Sequence, residues 1–250
     1  MKLCFLLIIL FLGVGSSARM TIFRGDVESV SNYPFVVLLT SKSSICTGSL
    51  VKRNTISTAG HCVCSMDSIN TAHFLKNDMY TRNEFSLRVK YFKVDPGYIS
   101  ICHQEISNDH YVGGVEGTDI AFITLVRDAD IKIEPIHLDY MGYIHPGTYL
   151  MSMGYGLDIS QGMYSYGIFR TGKVKTSKCL IKYSYDPICV IWNRDSLQIP
   201  GSGDSGGPLY DRENKRIVGS VSGVFRYSNN LNVIIYTRFT SRSSFISSLF

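Results

Sequence analysis

Three short stretches carry side chains that together could perform nucleophilic catalysis. Residues 58–62 supply His61, residues 118–122 supply Asp119 at the head of an apolar run, and residues 203–208 supply Ser205 between glycines. A serine hydroxyl is a weak nucleophile until a base takes its proton, and histidine suits that task near neutral pH. A buried carboxylate holds the imidazole in the required tautomer. These stretches predict hydrolysis by Ser205 as nucleophile, His61 as general base and then acid, and Asp119 as the group that orients His61.

Gly203, two residues before the serine, indicates how a negatively charged intermediate could be held. Gly203 lets the backbone turn so that the N–H groups of Gly203 and Ser205 can converge on an oxyanion. The same stretch also matches G-x-S-x-G, the nucleophile turn of α/β-hydrolases, whose histidine follows the serine. The last histidine here is His145. The order of residues therefore excludes an esterase or lipase of that fold and leaves the order His, Asp, Ser.

Short β-rich runs separated by turn residues would have to position these groups. Several alternate apolar and polar residues, as in Leu87-Arg88-Val89-Lys90-Tyr91. Many short strands with glycine-rich turns favour an all-β sandwich or barrel. The clearest runs are residues 35–40, 85–94, 120–126, 148–153, 217–221 and 233–239.

These stretches, in this order, resemble the chymotrypsin-like serine proteases of the trypsin family. Similar segments also occur at residues 32–38, 46–51, 154–156 and 235–238. The resemblance implies an all-β fold of two six-stranded antiparallel β-barrels with a short C-terminal helix. It places a peptidase domain at 22–250, with an N-terminal barrel at about 22–135, a C-terminal barrel at about 136–250 and the catalytic residues in the cleft between them.

The N-terminal residues 1–18 predict a signal peptide, because Lys2 precedes a short apolar run that ends in small residues. A membrane anchor is the alternative, but the run is short for a bilayer and no basic flank follows it. We therefore expect a secreted, extracellular protein without a membrane partner. The net charge of +5 comes from scattered basic residues, which argues against nucleic-acid binding.

Six cysteines remain after residue 18, an even number that predicts disulfides in a secreted chain. Zinc binding is the alternative, but the spacings lack paired C-x-x-C motifs, and we expect neither a metal nor a cofactor. The resemblance implies the pairs Cys46–Cys62 and Cys179–Cys189. The long segment between Pro96 and Asp119 contains Cys102, and both its loop and that of Cys64 should border the cleft. We therefore predict a third disulfide, Cys64–Cys102.

Activation departs from the usual pattern of the family. The resemblance implies a zymogen in which a new N-terminal ammonium pairs with Asp204, and spacing places that ammonium on Ile22. The preceding residue is Thr21 rather than Lys or Arg, and Arg19 lies three residues before Ile22. We expect residues 19–21 to form a short pro-segment and expect some route to a free Ile22, because Asp204 buried without a cation would be costly.

The substrate pocket departs as well. Family members that cut after Lys or Arg carry Asp six residues before the serine, and here that residue is Ile199, followed by Pro200. The resemblance places the pocket wall at Ser222, Gly223 and Val224, and Ile234 where a glycine is frequent. Without a carboxylate, a cationic side chain would be desolvated and unpaired.

The sequence therefore predicts a monomeric serine endopeptidase that cuts polypeptides beside small or medium apolar side chains. A protein inhibitor of proteases is an expected partner. The alternative, favoured by the altered activation site and obstructed pocket, is a catalytically silent homologue that acts by binding.

Overall fold

Strands dominate the regular secondary structure of the described residues. The computed structural model describes residue 22 and residues 25–64, 68–81, 85–99, 118–130, 132–157, 167–180, 186–193, 198–228 and 231–249. The predicted signal peptide, residues 19–21 and Cys102 therefore lie outside the described residues. The strands within them are β1 (Asp26–Val27), β2 (Val36–Thr40), β3 (Ile45–Lys52), β4 (Thr55–Thr58), β5 (Thr71–His73), β6 (Ser86–Val94), β7 (Ala121–Leu125), β8 (His137–Leu138), β9 (Tyr149–Gly154), β10 (Arg170–Lys175), β11 (Ile188–Asn193), β12 (Pro208–Asp211), β13 (Arg216–Ser228) and β14 (Leu231–Arg238).

Helices are few and short. Single turns of 3-10 helix occur at Val30–Asn32 and Thr240–Arg242, and residues 96–99 are helical. The α-helices α1 (His61–Cys64) and α2 (Ser243–Ser247) have four and five residues, and α2 is the predicted C-terminal helix. In the described part of the chain, no helix has the length and apolar character needed to span a bilayer.

The first barrel is closed and antiparallel, with the strand order β2-β3-β4-β7-β6-β5 and β5 paired back to β2. Two of its strands, β2 and β7, are nearly continuous apolar runs, as expected where both faces of a strand are covered. Val36 through Leu39 on β2 are completely buried, and from Ile120 to Leu125 every residue except Thr124 is buried. The all-β fold class is confirmed by this barrel and its partner sheet.

The second unit is a half-barrel of eight strands with the order β1-β10-β9-β12-β13-β14-β11. It differs from the expected closed six-stranded barrel, because β1 adds a strand beside β10, and β8 pairs in parallel with β13 off the main path. The first barrel uses strands up to β7, and β8 is the first strand after it to join the second sheet.

Alternation of buried and exposed side chains on β6 ends after Val89, and residues 90–93 are all exposed. Leu87 is buried and Arg88 exposed as the pattern predicts, but Tyr91 is more than half exposed. The pairing with β7 shifts between Val89 and Tyr91, so that one extra residue is accommodated there. The alternation therefore ends where the bulge interrupts the pairing of β6 with β7.

The two units are packed against each other. Side chains of the second unit, including Met153, Tyr155, Phe169 and Tyr210, belong to the same buried cluster as the first barrel's core. A separate cluster that includes Ile199 and Ile234 fills the second half-barrel. Loops at the junction of the two units can therefore be held from both sides.

Candidate active site

His61 and Asp119 form a doubly hydrogen-bonded pair at this junction. His61 opens α1 directly after β4, and Asp119 precedes β7, the strand that pairs with β4. The imidazole Nδ1 lies 2.8 Å from Asp119 Oδ2, and the backbone N–H of His61 donates to Asp119 Oδ1 at 2.9 Å. With Nδ1 bound to the carboxylate, Nε2 is the nitrogen left to act as a base.

Asp119 is completely buried and held by both units. Ser222 on β13 donates its hydroxyl to Oδ2 at 2.8 Å, and Thr237 on β14 donates to the Asp119 carbonyl at 2.9 Å. Burial alone would raise the pKa of Asp119. The charge of His61 and the hydrogen bonds from His61 and Ser222 outweigh it and hold the pKa below its usual value. The carboxylate is therefore ionised and fixed at neutral pH.

A buried ion pair anchors the residue before Asp119. Asp95 accepts hydrogen bonds from the guanidinium of Arg242 at 2.6 to 2.8 Å and from the Thr118 hydroxyl at 2.5 Å. Arg242 ends the C-terminal 3-10 turn, so this turn reaches back to the first barrel. The contact fixes where the chain enters Asp119.

Ser205 lies on a tight loop next to the segment that leads to His61. Thr47 on β3 donates its backbone N–H to the Ser205 carbonyl at 2.9 Å, and the Cys62 sulfur lies 3.7 Å from that same oxygen. At Gly206, φ is +78°, and a Cβ there would stand 2.1 Å from the Thr58 hydroxyl. Only glycine fits both that conformation and that approach, so the loop brings Ser205 beside residues 58–62.

Two backbone donors are available around Ser205. Gly203 has φ +97°, a conformation that favours glycine. Within the described ranges, neither the Gly203 nor the Ser205 N–H donates to another residue, whereas the neighbouring N–H groups of Asp204 and Gly206 bond to Gly201 and Val221. Two unused N–H groups on one tight loop can bind an oxyanion.

Asp204 points inward, away from Ser205, and is completely buried. Its carboxylate accepts backbone N–H groups from Gly156 at 2.7 Å, from Gly201 at 2.9 Å and from Ile22. Burial raises the pKa of Asp204 to about 7, although these N–H groups and the charge of Arg170 lower it. Ile22 is itself buried, so the residue expected to supply a free ammonium lies against the carboxylate expected to receive it.

The structure contains the disulfides Cys46–Cys62 and Cys179–Cys189. The first links β3 to α1 directly behind His61. The sulfurs of Cys46 and Cys62 lie near the His61 ring, but their mutual bond removes the thiolates that a metal would need. Cys64 is disulfide-bonded, and since Cys102 lies outside the described residues, the predicted Cys64–Cys102 pair stays a prediction.

The residues predicted to form the substrate pocket fall into two groups. Ile199, Pro200 and Ile234 are buried, and both isoleucines pack in the core of the second half-barrel. Val224 is 37% exposed and pairs with Ile234 across β13 and β14, with the half-buried Gly223 beside it. Buried Ile199 therefore takes up space at the predicted floor, and buried Ile234 takes up space where it was expected to narrow the pocket.

Sequence reasoning missed some residues of the site and gave another a different role. Ser222 was expected in the pocket wall, yet its hydroxyl binds Asp119. Thr47 and Thr237, which bond to the Ser205 and Asp119 backbones, lie in segments that resemble the family, but sequence reasoning assigned a role to neither of them. The pairing of distant strands brings them to the site, so the neighbours of each threonine in sequence do not indicate its partner.

The comparisons with known proteins agree with this geometry. The sequence matches the family described as Trypsin over residues 22–246, which begins at the buried Ile22. It is 30% identical over 215 residues to cercarial protease of Schistosoma mansoni, covering 84% of this chain and 81% of that protein. It is 28% identical over 263 residues to duodenase-1 of Bos taurus, covering 99% and 96%.

A solved structure shares the fold. A mutant of human heparin binding protein (CAP37) has a TM-score of 0.69 at 16% identity, covering 91% of this chain and 96% of that one. At this identity the likeness concerns the fold, while the family match rests on the sequence. The chain belongs to the trypsin family, the chymotrypsin-like serine proteases.

Proposed function

We propose that the protein is a secreted serine endopeptidase that hydrolyses peptide bonds through Ser205, His61 and Asp119. The observation that carries the proposal is the hydrogen-bonded pair of His61 and fully buried Asp119. The half-buried Ser205 lies on a loop packed against the residues that precede His61. The two protease relatives and the predicted signal peptide at residues 1–18 support hydrolysis and secretion.

The arrangement would act in two steps. Ser205 Oγ attacks the scissile carbonyl carbon while His61 Nε2 takes the hydroxyl proton, and the Gly203 and Ser205 N–H groups hold the oxyanion. His61 then gives that proton to the leaving amine, which releases the first product and leaves an acyl-enzyme. Water, deprotonated by His61, attacks the acyl-enzyme and frees Ser205. Asp119 stays ionised and stabilises the His61 cation.

Cleavage should follow small or medium apolar side chains. The buried Ile199 takes up volume at the predicted pocket floor, the buried Ile234 should narrow the pocket, and Val224 is partly exposed at the predicted wall. A lysine or arginine side chain would lose its hydration there without meeting a carboxylate. A polypeptide that presents alanine, valine or a similar residue is the substrate class that fits.

Activation should require a free Ile22. As an amide, Ile22 offers Asp204 one N–H hydrogen bond, and the pKa of that buried carboxyl is raised. As an ammonium, it would supply the positive charge that a buried carboxylate needs. Removal of residues 1–21 would therefore stabilise the loop that carries Gly203 and Ser205.

Labelling by an active-site-directed fluorophosphonate tests the proposal. Protein whose N-terminus has been verified as Ile22 should be labelled, and Ser205→Ala should abolish the label. Ser202→Ala changes an exposed serine in the same loop and should leave the label in place. Labelling that survives Ser205→Ala would contradict the assigned nucleophile.

A second candidate, a catalytically silent homologue that acts by binding, is favoured by one observation. Ile199 at the predicted floor and Ile234, which should narrow the pocket, are both almost completely buried and packed in the core of the second half-barrel. Absence of labelling in protein with a verified free Ile22 would support this candidate over the endopeptidase.

A further inference from the structure

Thr47 is a buried polar residue that connects the first barrel to the second unit through three hydrogen bonds, two of which go to the Ser205 loop. It lies on β3 and is 0% exposed. Its hydroxyl donates to the Gly203 carbonyl at 2.9 Å and accepts the Tyr155 N–H at 3.1 Å. Its backbone N–H donates to the Ser205 carbonyl at 2.9 Å. One residue therefore contacts both residues whose N–H groups are proposed to hold the oxyanion.

These contacts restrict how the two donors can point. Glycine torsions are not limited by a side chain, so the Gly203 N–H could adopt several directions if its carbonyl were free. The hydrogen bond from Thr47 fixes that carbonyl. The bond to the Ser205 carbonyl does the same two residues later, so the peptide planes that directly follow Gly203 and Ser205 are held, and with them one side of each donor residue.

Thr47 is itself held in one orientation. Thr58, three residues before His61, donates its hydroxyl to the Thr47 carbonyl at 2.9 Å. A Cβ at Gly154 would stand 3.0 Å from the Thr47 hydroxyl, and one at Gly207 would stand 3.3 Å from its methyl group. These glycines give the side chain room but leave little space for another rotamer. A group fixed this way can transmit its position to the loop.

We propose that Thr47 is a positioning residue for the oxyanion-binding N–H groups of Gly203 and Ser205. The inference rests on the proposed endopeptidase function and adds to it a requirement from the first barrel. Removing the hydroxyl leaves the Gly203 carbonyl and the Tyr155 N–H without this partner and releases the Gly203 torsions. Loss of a donor from an oxyanion site lowers kcat by about 10²- to 10³-fold, and a donor that is only loosened should cost less.

The test compares Thr47→Val, which replaces the hydroxyl by a methyl group, with Thr47→Ser, which keeps it. Thr47→Val should lower kcat about tenfold to a hundredfold with KM changed less than about twofold, because the oxyanion forms only after substrate is bound. Affinity for a peptide aldehyde, whose adduct with Ser205 carries an oxyanion, should fall by a similar factor. Thr47→Ser should retain most of kcat.

Thr176→Val is the matched control. The Thr176 hydroxyl likewise donates to a carbonyl, that of His145, at 2.8 Å and accepts an N–H, that of Thr148, at 3.0 Å. Thr176 is buried and directly follows the last residue of β10, at the end of the strand opposite to Arg170. Thr176→Val should therefore lower the melting temperature as Thr47→Val does, yet leave kcat and aldehyde affinity unchanged.

The outcomes separate the two proposals. Wild-type protein with a free Ile22 that takes no fluorophosphonate label overturns the endopeptidase function and this role together. If the wild type is labelled but Thr47→Val has the same kcat as the wild type, only the role of Thr47 is overturned. The same holds if Thr47→Ser loses as much kcat as Thr47→Val. If Thr47→Val is not recovered folded, Thr47→Ala replaces it against Thr47→Ser with the same expectations.

Discussion

The surroundings of Asp119 and the packing around Ile199 place different demands on the side chains that form them. Around Asp119, buried polar atoms from both units meet at distances of 2.8 to 2.9 Å, and each contact needs a particular atom. Around Ile199 and Ile234, buried side chains need only fill volume. Few residue types can serve the first region, whereas many apolar residues can serve the second. The fold can therefore keep its chemistry while its choice of substrate changes.

The largest effect should come from breaking the polar region at its centre. Asp119→Asn keeps the shape of the side chain but favours the wrong His61 tautomer, so kcat should fall about 10⁴-fold. Hydrolysis of a peptide substrate measures it. Asp128→Asn, which changes an exposed carboxylate, should leave kcat unchanged. A loss of less than tenfold in Asp119→Asn would contradict the assigned role.

The pH dependence of stability tests the proposed pairing of the buried Asp204 carboxylate with Ile22. In the uncleaved chain its pKa is raised from 3.8 to about 7. Between these values the unfolded state releases the Asp204 proton while the folded state keeps it. Stability should therefore fall as pH rises from about 4 to about 7, by about 4 kcal/mol in all, and then level off.

Urea unfolding of an uncleaved Ser205→Ala chain at a series of pH values measures this slope. The slope that belongs to Asp204 is the difference from the same chain carrying Asp204→Asn. A chain that begins at Ile22 should lose the slope, because the ammonium stabilises the carboxylate. An equal slope in cleaved and uncleaved chains would contradict the proposed pairing of Ile22 with Asp204.

The sequence predicted the fold class and the approximate places of six main strands, because apolar runs and turn residues are local signals. It did not predict the eight-stranded half-barrel, since β1 and β8 have two residues each and owe their existence to β10 and β13. On β6 the alternation ends at a bulge opposite β7, and Tyr91 beside it is exposed. Such pairing is decided between strands and leaves no mark within one of them.

The candidate site shows the same division. His61, Asp119 and Ser205 could be identified because their neighbours and their order are distinctive. Thr47 could not, because its partners Gly203 and Ser205 lie more than 150 positions away in sequence. Ile199 could be placed by counting from Ser205 and Ile234 by counting back from Tyr236, but only packing shows that both are buried.

Enlarging the predicted pocket at Ile234 should change both stability and specificity, whereas a matched change in the first barrel should change stability alone. Ile234→Ala removes buried methyl groups and should lower the free energy of unfolding by about 2–5 kcal/mol. The space it leaves should raise kcat/KM for substrates with Leu or Phe relative to Ala by about tenfold. Ile56→Ala, also 0% exposed but in the first barrel, should cost similar stability without altering the cleavage profile. An unchanged profile in Ile234→Ala would place Ile234 outside the pocket.

The smallest effect should come from Ser222, which belongs to the polar region although its place was predicted in the pocket wall. Ser222→Ala removes one hydrogen bond to the Asp119 carboxylate, and a bond to a charged group contributes about 1.5–3 kcal/mol. Because three other contacts still hold Asp119 and its backbone, we expect the lower end of that range, about a tenfold loss of kcat.

Ser220→Ala is the matched control on the same strand. Its hydroxyl is equally buried and has no hydrogen-bond partner among the described residues. If Ser222→Ala changes KM for different side chains while kcat stays constant, Ser222 acts as a pocket wall and not as a support for Asp119.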